Sequence, residues 1–205
     1  MSRVKPLKKI AGADSPPPRE RILAAARELF YARGIRPVSV DDIATAAQTN
    51  KMTFYRHFES KDLLVAECLR LLAEDSDKIW DEAARAHPGD PMAQLNAWVE
   101  HIGVMMADRK NRGCALANAA VEIAEKDHPA RAVIEAYKTH KRERITALCR
   151  SAGFHDPERI ADEIFLLFEG ARVDQQSVGP GGAGMRVVEL IRALLKSSPR
   201  TATTA

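Results

Sequence analysis

Between Thr45 and Leu64 the chain reads TAAQTNKMTFYRHFESKDLL, which crowds Lys51, Thr53, Tyr55, Arg56, His57 and Lys61 around Phe54 and Phe58. Ammonium, guanidinium, imidazole and hydroxyl groups are the donors that phosphate oxygens and base edges accept from. The two phenylalanines, four apart, share one side of a helix and call for a buried seat. A core needs the rings without the cations, and a solvated face needs the cations without the rings. Both demands are met if a short helix buries its rings and presents Lys51, Met52, Thr53, Tyr55, Arg56 and His57 outward. Lys61 opens the next helix, whose free backbone N–H groups favour an anion.

The flanking elements fit that task. A helix over about 19–33 carries Ile22, Leu23, Ala26, Leu29 and Phe30 on one face and stops at Gly34, before Pro37. Ser39 caps a second helix, with Asp41 and Asp42 in its first turn and Val40, Ile43, Ala44 and Ala47 on its apolar face. After QTN, Asn50 caps a short helix over about 51–57, and Ser60 caps a long one over about 61–86. Two short helices joined by a tight turn form a helix-turn-helix, whose second helix enters the DNA major groove.

The run RERILAAARELFYARGIRPVSVDDIATAA followed by KMTFYRHFESKDLL resembles the DNA-binding domain of the TetR family of bacterial transcriptional regulators, over about residues 19–64. The resemblance implies phosphate contacts at Ser39, Thr53, Tyr55, His57 and Lys61. It implies base or sugar contacts at Lys51, Met52 and Tyr55, with Thr49 beside them. Family members usually carry glycine where this chain has Gln48, and often where it has Met52. Gln48 is therefore expected to adopt a left-handed conformation, at a cost of roughly 1 kcal/mol. Met52 can meet a thymine methyl but offers no strong hydrogen bond.

Beyond the long helix, HPGDP breaks the chain. Further helices are expected over about 91–108, 114–125, from DHP at 127–129 to Gly153, 157–178 and 185–196, with GPGGAG at 179–184 as a flexible loop. The chain thus reads as all-α. A flexible basic arm (1–18) leads into a three-helix helix-turn-helix domain (19–65), a larger helical ligand-binding and dimerisation domain (66–196) and a disordered tail (197–205).

In the second domain Ile160, Ile164, Leu167, Phe168 and Ala171 have the spacing of a packing seam, as do Val187, Val188, Ile191, Leu194 and Leu195. Such a seam serves a monomer core or an interface. By resemblance the last two helices pair with their copies, giving a homodimer joined through Ile164, Leu167, Phe168, Ala171, Val187, Ile191 and Leu194. A two-fold dimer sets two recognition helices about 34–36 Å apart and requires a pseudo-palindromic operator. The resemblance also implies a pocket for a small, apolar or aromatic effector that releases a repressor from DNA. Trp98, His101 and Met105 share one side of their helix, and Asn118, Glu122, Tyr137 and Arg172 are further candidates.

Composition narrows the rival classes. Up to Val65 there are twelve Lys and Arg against seven Asp and Glu, a net +5, whereas the remainder carries −2. That asymmetry suits nucleic acid at the N-terminal end, although a solvated tail supplies much of it. Cys68, Cys114 and Cys149 are widely spaced, which argues for a reducing cytoplasm and against a disulfide framework or a zinc site. No apolar run nears the ~20 residues that span a bilayer. Glu125 and His128 form one E-x-x-H, but a dimetal enzyme in a helical bundle needs two. No cofactor or metal is expected. The main rival is a helical small-molecule-binding module that has lost DNA recognition, because of Gln48 and Met52.

Overall fold

The computed structural model describes residues 15–108 and 112–201. The proposed arm up to residue 14 and the end of the tail, 202–205, lie outside them. The described residues are helical, apart from turns and one isolated antiparallel bridge between Phe154 and Arg200. The chain divides into two compact units, Met1–Leu64 and Val65–Ala205.

In the first unit, α1 (Pro18–Arg33) begins on a proline, whose fixed φ suits a first helical position, and buries Ile22, Leu23, Ala25 and Ala26. It stops at Gly34, with φ 86° and an amide that donates to the Phe30 carbonyl. α2 (Val40–Ala46) starts on a capping box: the Ser39 hydroxyl accepts from the Asp42 amide, and the Asp42 carboxylate accepts from the Ser39 amide. α3 (Lys51–His57) starts on Asn50, whose side chain accepts from the Thr53 amide. Ile22, Ala26, Val38, Ile43, Phe54 and Leu64 are almost wholly buried and form the centre of this small core.

The division between units falls within α4 (Lys61–Ala86). The second unit continues with α5 (Pro91–Ala107), α6 (Ala115–Glu122), α7 (Pro129–Ser151), α8 (Pro157–Val178), a 3-10 turn (Ala183–Arg186) and α9 (Val187–Ser197). Asp90, His128 and Asp156 each cap a helix whose first residue is proline. The core gathers Trp80 from α4, Leu95, Trp98, Val99 and Ile102 from α5, Ile145 and Cys149 from α7, Ile164 and Phe168 from α8, and Ile191 from α9.

Three expectations change here. First, much of the seam assigned to a dimer serves the protomer: Ile164, Phe168 and Ile191 are buried in the single-chain core, and Leu194 packs against it, whereas Leu167, Ala171 and Val187 touch that core and also line an outward groove. Spacing reports that a face is apolar, not which partner covers it. Second, the tail is held as far as Thr201. The His155 amide donates to the Pro199 carbonyl (3.1 Å), and the Thr201 amide to that of Gly153 (2.8 Å). Arg200 also lies over the Phe154 ring. Main-chain pairing of this kind leaves no trace in a polar composition. Third, the glycine-rich loop is packed rather than loose at its end. The Gly184 amide donates to the Asp174 carboxylate (2.7 Å), and a Cβ at Gly184 would lie 2.6 Å from the Ala171 carbonyl oxygen. The 3-10 turn there also delays α9 to Val187, and α6 closes at Glu122, short of 125.

Candidate nucleic-acid interface

The geometry of α3 follows from its two rings. Phe54 is fully buried and Phe58, just past the helix end, nearly so, with centroids 5.9 Å apart. Burying Phe54 turns Lys51, Met52, Tyr55, Arg56 and His57 outward. Met52 is 80% exposed and Tyr55 49% exposed, an unfavourable way to leave apolar surface unless something covers it. Lys51, Met52, Tyr55 and Arg56 line one shallow depression. The Tyr55 ring meets Phe54 edge to face at 5.2 Å, so packing sets its direction while its hydroxyl end stays accessible.

Lys51 lies 3.3 Å from the Asp41 carboxylate, with both side chains more than half exposed. Such a pair contributes little and holds the ammonium only loosely, leaving it able to move to a phosphate. His57 is exposed, and Thr53 and Thr49 are half-buried at the start of α3 and in the turn before it. Ser39 sits at the start of α2 with its hydroxyl engaged by Asp42. These hydrogen bonds from Ser39 hold the Asp42 carboxyl below its ordinary value, with Arg33 adding a smaller attraction.

Lys61 departs most from expectation. Its ammonium donates to the carbonyls of Ile35 and Val38, both at 3.0 Å. Two of its three donors are therefore spent on the segment between α1 and α2, and its first role is as a brace for that segment.

The turn between α2 and α3 explains how glutamine replaces glycine. Gln48 has φ 52°, the one positive value outside glycine among the described residues. Its amide donates to the Thr45 carbonyl (3.1 Å), and the Thr49 amide donates to that of Ala44 (2.9 Å). These are the two bonds of a Schellman cap, with Gln48 at the left-handed position that glycine normally fills. Arg21 clamps the same turn from α1: Nε donates to the Ala47 carbonyl (3.0 Å), and a terminal nitrogen reaches that of Gln48 (3.4 Å). Arg21 also donates to the Pro16 carbonyl. Sequence reading passed over Arg21, since an arginine on a helix surface gives no sign that it faces a turn 26 residues away.

The profile of the family described as "Bacterial regulatory proteins, tetR family" matches residues 22–68, which contain the whole helix-turn-helix. The crystal structure of SCO4454, a TetR-family transcriptional regulator from Streptomyces coelicolor, superposes with TM-score 0.81 and 26% identity, covering 87% of this chain and 94% of that one. Residues 22–68 are thus a TetR-family DNA-binding domain, in a chain whose fold matches that of a TetR-family regulator. Among curated TetR-type relatives, the HTH-type transcriptional regulator EthR of Mycolicibacterium smegmatis is 32% identical over 79 residues, 38% of this chain and 36% of that protein. The HTH-type transcriptional repressor DhaR of a Mycobacterium species is 25% identical over 108 residues, 53% of each chain. The chain thus spans about a third to a half of these two relatives. His128, of the E-x-x-H, serves as a helix cap, its Nδ1 accepting from the Ala130 amide. No group of three metal-binding side chains forms among the described residues, and no described helix is long and apolar enough to cross a membrane.

The second unit brings some of the predicted effector residues together. Trp98 is buried, stacked on Trp80 at 4.5 Å and edge-on to Phe168 at 5.5 Å. Tyr137 is buried, with its hydroxyl 3.1 Å from that of Ser76, and burial pushes its pKa up to about 12. Arg172 donates to the Gly113 carbonyl (2.8 Å) and lies over Phe168. His101 is half-buried and its pKa is lowered, by burial first, against the pull of Glu82. Met105 packs on the core, and Asn118 donates to the Arg112 carbonyl, shaping the loop before α6. Glu122 ends α6 half-buried.

The residue that sequence reading missed here is Lys141. It is 4% exposed, with its ammonium 3.8 Å from the Phe168 ring centroid and 3.4 Å from the Glu169 carboxylate. Burial outweighs the attraction of Glu169 and brings its pKa down to about 7. A lysine inside a charged stretch such as KTHKRER reads as solvated surface.

Proposed function

We propose that this chain is a DNA-binding transcriptional regulator, a repressor that grips a pseudo-palindromic operator as a homodimer and lets go when a small effector binds its second domain. The observation that carries this reading is the outward face of α3, where Met52 and Tyr55 are exposed beside Lys51, Arg56 and His57 on a helix anchored by Phe54. Lys51, Thr53, Tyr55 and His57 would meet phosphates and sugars; Met52 and Tyr55 would meet base edges or thymine methyls. Ser39 and Thr49 would meet the backbone beside them, with Lys61 holding the preceding segment in shape. The rival that has lost DNA recognition gains nothing from Gln48, whose left-handed turn is fully bonded.

For the dimer, support comes from the outer face of α8 and α9, where Leu167, Ala171 and Val187 of the predicted seam line a groove. Leu166, Val173 and Leu190 are exposed, and a groove of about 570 Å³ runs past Leu166, Gly170 and Leu190 between Glu163 and Asp174. A second copy of the chain would cover this apolar surface. An effector that binds the DNA-incompetent form more tightly lowers DNA affinity by linkage.

Selection of bound duplexes from a random pool tests the reading. A two-fold symmetric motif is expected. A folded, dimeric preparation that enriches no sequence would remove the regulator assignment.

A further inference from the structure

One cluster in the second unit gathers a buried lysine and two partly buried cations around a single carboxylate. Tyr137, Lys138 and Lys141 on α7 face Phe165, Phe168, Glu169 and Arg172 on α8, with Trp98 approaching from α5. Glu169 accepts from both Lys138 and Lys141. It is the carboxylate in contact with the cluster, and the cations lower its pKa against the effect of its own burial. Arg172 has a backbone carbonyl as its acceptor, and its Nε is buried with no acceptor among the described residues. Two lysines and an arginine thus share one carboxylate among the described residues, in a setting otherwise made of Trp98, Tyr137, Phe165 and Phe168.

Burying a charge is costly unless it is paired, and leaving a buried donor unbonded adds to that cost. The ring faces recover part of it through cation–π contacts, chiefly Lys141 on Phe168. An aromatic enclosure of this sort can also receive a cationic ligand. Here a lysine of the chain already occupies the ring face, and Lys138, Lys141 and Arg172 together repel a second cation. A neutral ligand would leave the surplus unchanged. An anion relieves it while keeping Lys141 charged, whereas without one the surplus is shed by loss of the Lys141 proton.

We propose that this cluster receives the acidic group of a small organic anion, a carboxylate on an apolar or aromatic body, with Lys141 and Arg172 as its charged partners and Trp98, Tyr137 and Phe165 around its body. The inference rests on the effector reading above and specifies its chemistry. The groups facing Lys141 are Glu169, Lys138, Arg172, Cys114 and the Tyr137 ring. A bound carboxylate would add a second negative partner, so Lys141 takes up a proton on binding when the pH is above about 7. Affinity for the acid then declines as the pH rises past that value.

The test uses the full chain, whose two tryptophans, Trp80 and Trp98, are stacked on each other at the cluster's edge. Phenylacetate and hexanoate are titrated against phenylacetamide, hexanamide and hexylamine, with tryptophan fluorescence as the readout. Calorimetry at pH 8 in two buffers of different ionisation enthalpy counts protons. At least one acid should bind saturably, about tenfold to a hundredfold tighter than its amide, with net proton uptake. Lys141→Met should abolish the preference for acid over amide while the amide still binds. Lys138→Gln, at the more open edge of the cluster, should weaken it and serves if the first variant does not fold. Equal binding of acid and amide, binding of the amine, or no response to either acid would overturn the proposal. So would an unchanged preference in both folded variants. Duplex selection on the same preparation separates the two readings. Acid binding without duplex enrichment removes the regulator and keeps the site. Release of a selected duplex by an uncharged compound, with neither acid bound, does the reverse.

Discussion

Replacing Gln48 with glycine isolates the cost of the left-handed turn between α2 and α3. At φ 52° a residue with a Cβ loses roughly 1–2 kcal/mol relative to glycine. Glycine returns about 0.4–1 kcal/mol of that through the larger freedom of its unfolded chain. The difference predicts a gain of about 0.5–1 kcal/mol for Gln48→Gly. The bonds to Thr45 and Ala44, and the Arg21 contact, all involve backbone atoms of the turn and survive the change. Both tryptophans lie in the second unit, so fluorescence would report poorly on this site. Amide hydrogen exchange is the better assay: the Phe54 amide, bonded to the Asn50 carbonyl, should exchange about two- to fivefold more slowly. Gln48→Ala keeps the Cβ and should change little, because the glutamine side chain is exposed. Faster exchange in Gln48→Gly, or equal stabilisation by alanine, would refute the assignment of strain to the backbone.

Lys61→Met should destabilise the first unit by about 1–3 kcal/mol, read by exchange of the α1 and α2 amides, because it takes the donor from the Ile35 and Val38 carbonyls. Gly184→Ala sets a Cβ 2.6 Å from the Ala171 carbonyl oxygen and should lower the urea midpoint followed by tryptophan fluorescence, with a cost of about 1–3 kcal/mol. For Lys141 the folded pKa, about 7, lies below the ordinary 10.5, so the unfolded chain binds more protons between those values and wild-type stability rises with pH there. Lys141→Met should therefore be more stable than wild type by about 1–4 kcal/mol at pH 6, an advantage that shrinks steadily towards pH 10 in urea titrations.

The helices were legible where local chemistry fixes them. Ser39, Asn50, Asp90 and Asp156 stand immediately before helices and accept from their first turns, as capping requires. The outward set on α3 followed from two phenylalanines four apart, which leave the remaining side chains only one way to face. Gln48 stood out because so few residues tolerate a positive φ. What escaped the sequence depends on distant partners. Arg21 reaches a turn 26 residues on, Lys61 turns back on carbonyls 23 and 26 residues earlier, and Lys141 is buried by helices it does not adjoin in sequence. The apolar stripe on α8 was legible, but periodicity could not say that Ile164 and Phe168 face the protomer core while Leu166 and Val173 face outward.

The most direct test of the central claim is titration of a selected duplex at several salt concentrations with wild type, Tyr55→Ala and Lys51→Ala. Wild-type affinity should fall linearly with salt on logarithmic axes. Lys51→Ala should reduce that slope by about one for each recognition helix, and Tyr55→Ala should weaken binding by about tenfold or more. Variants that fold normally and bind the duplex with wild-type affinity and slope would show that α3 is not the surface that reads DNA.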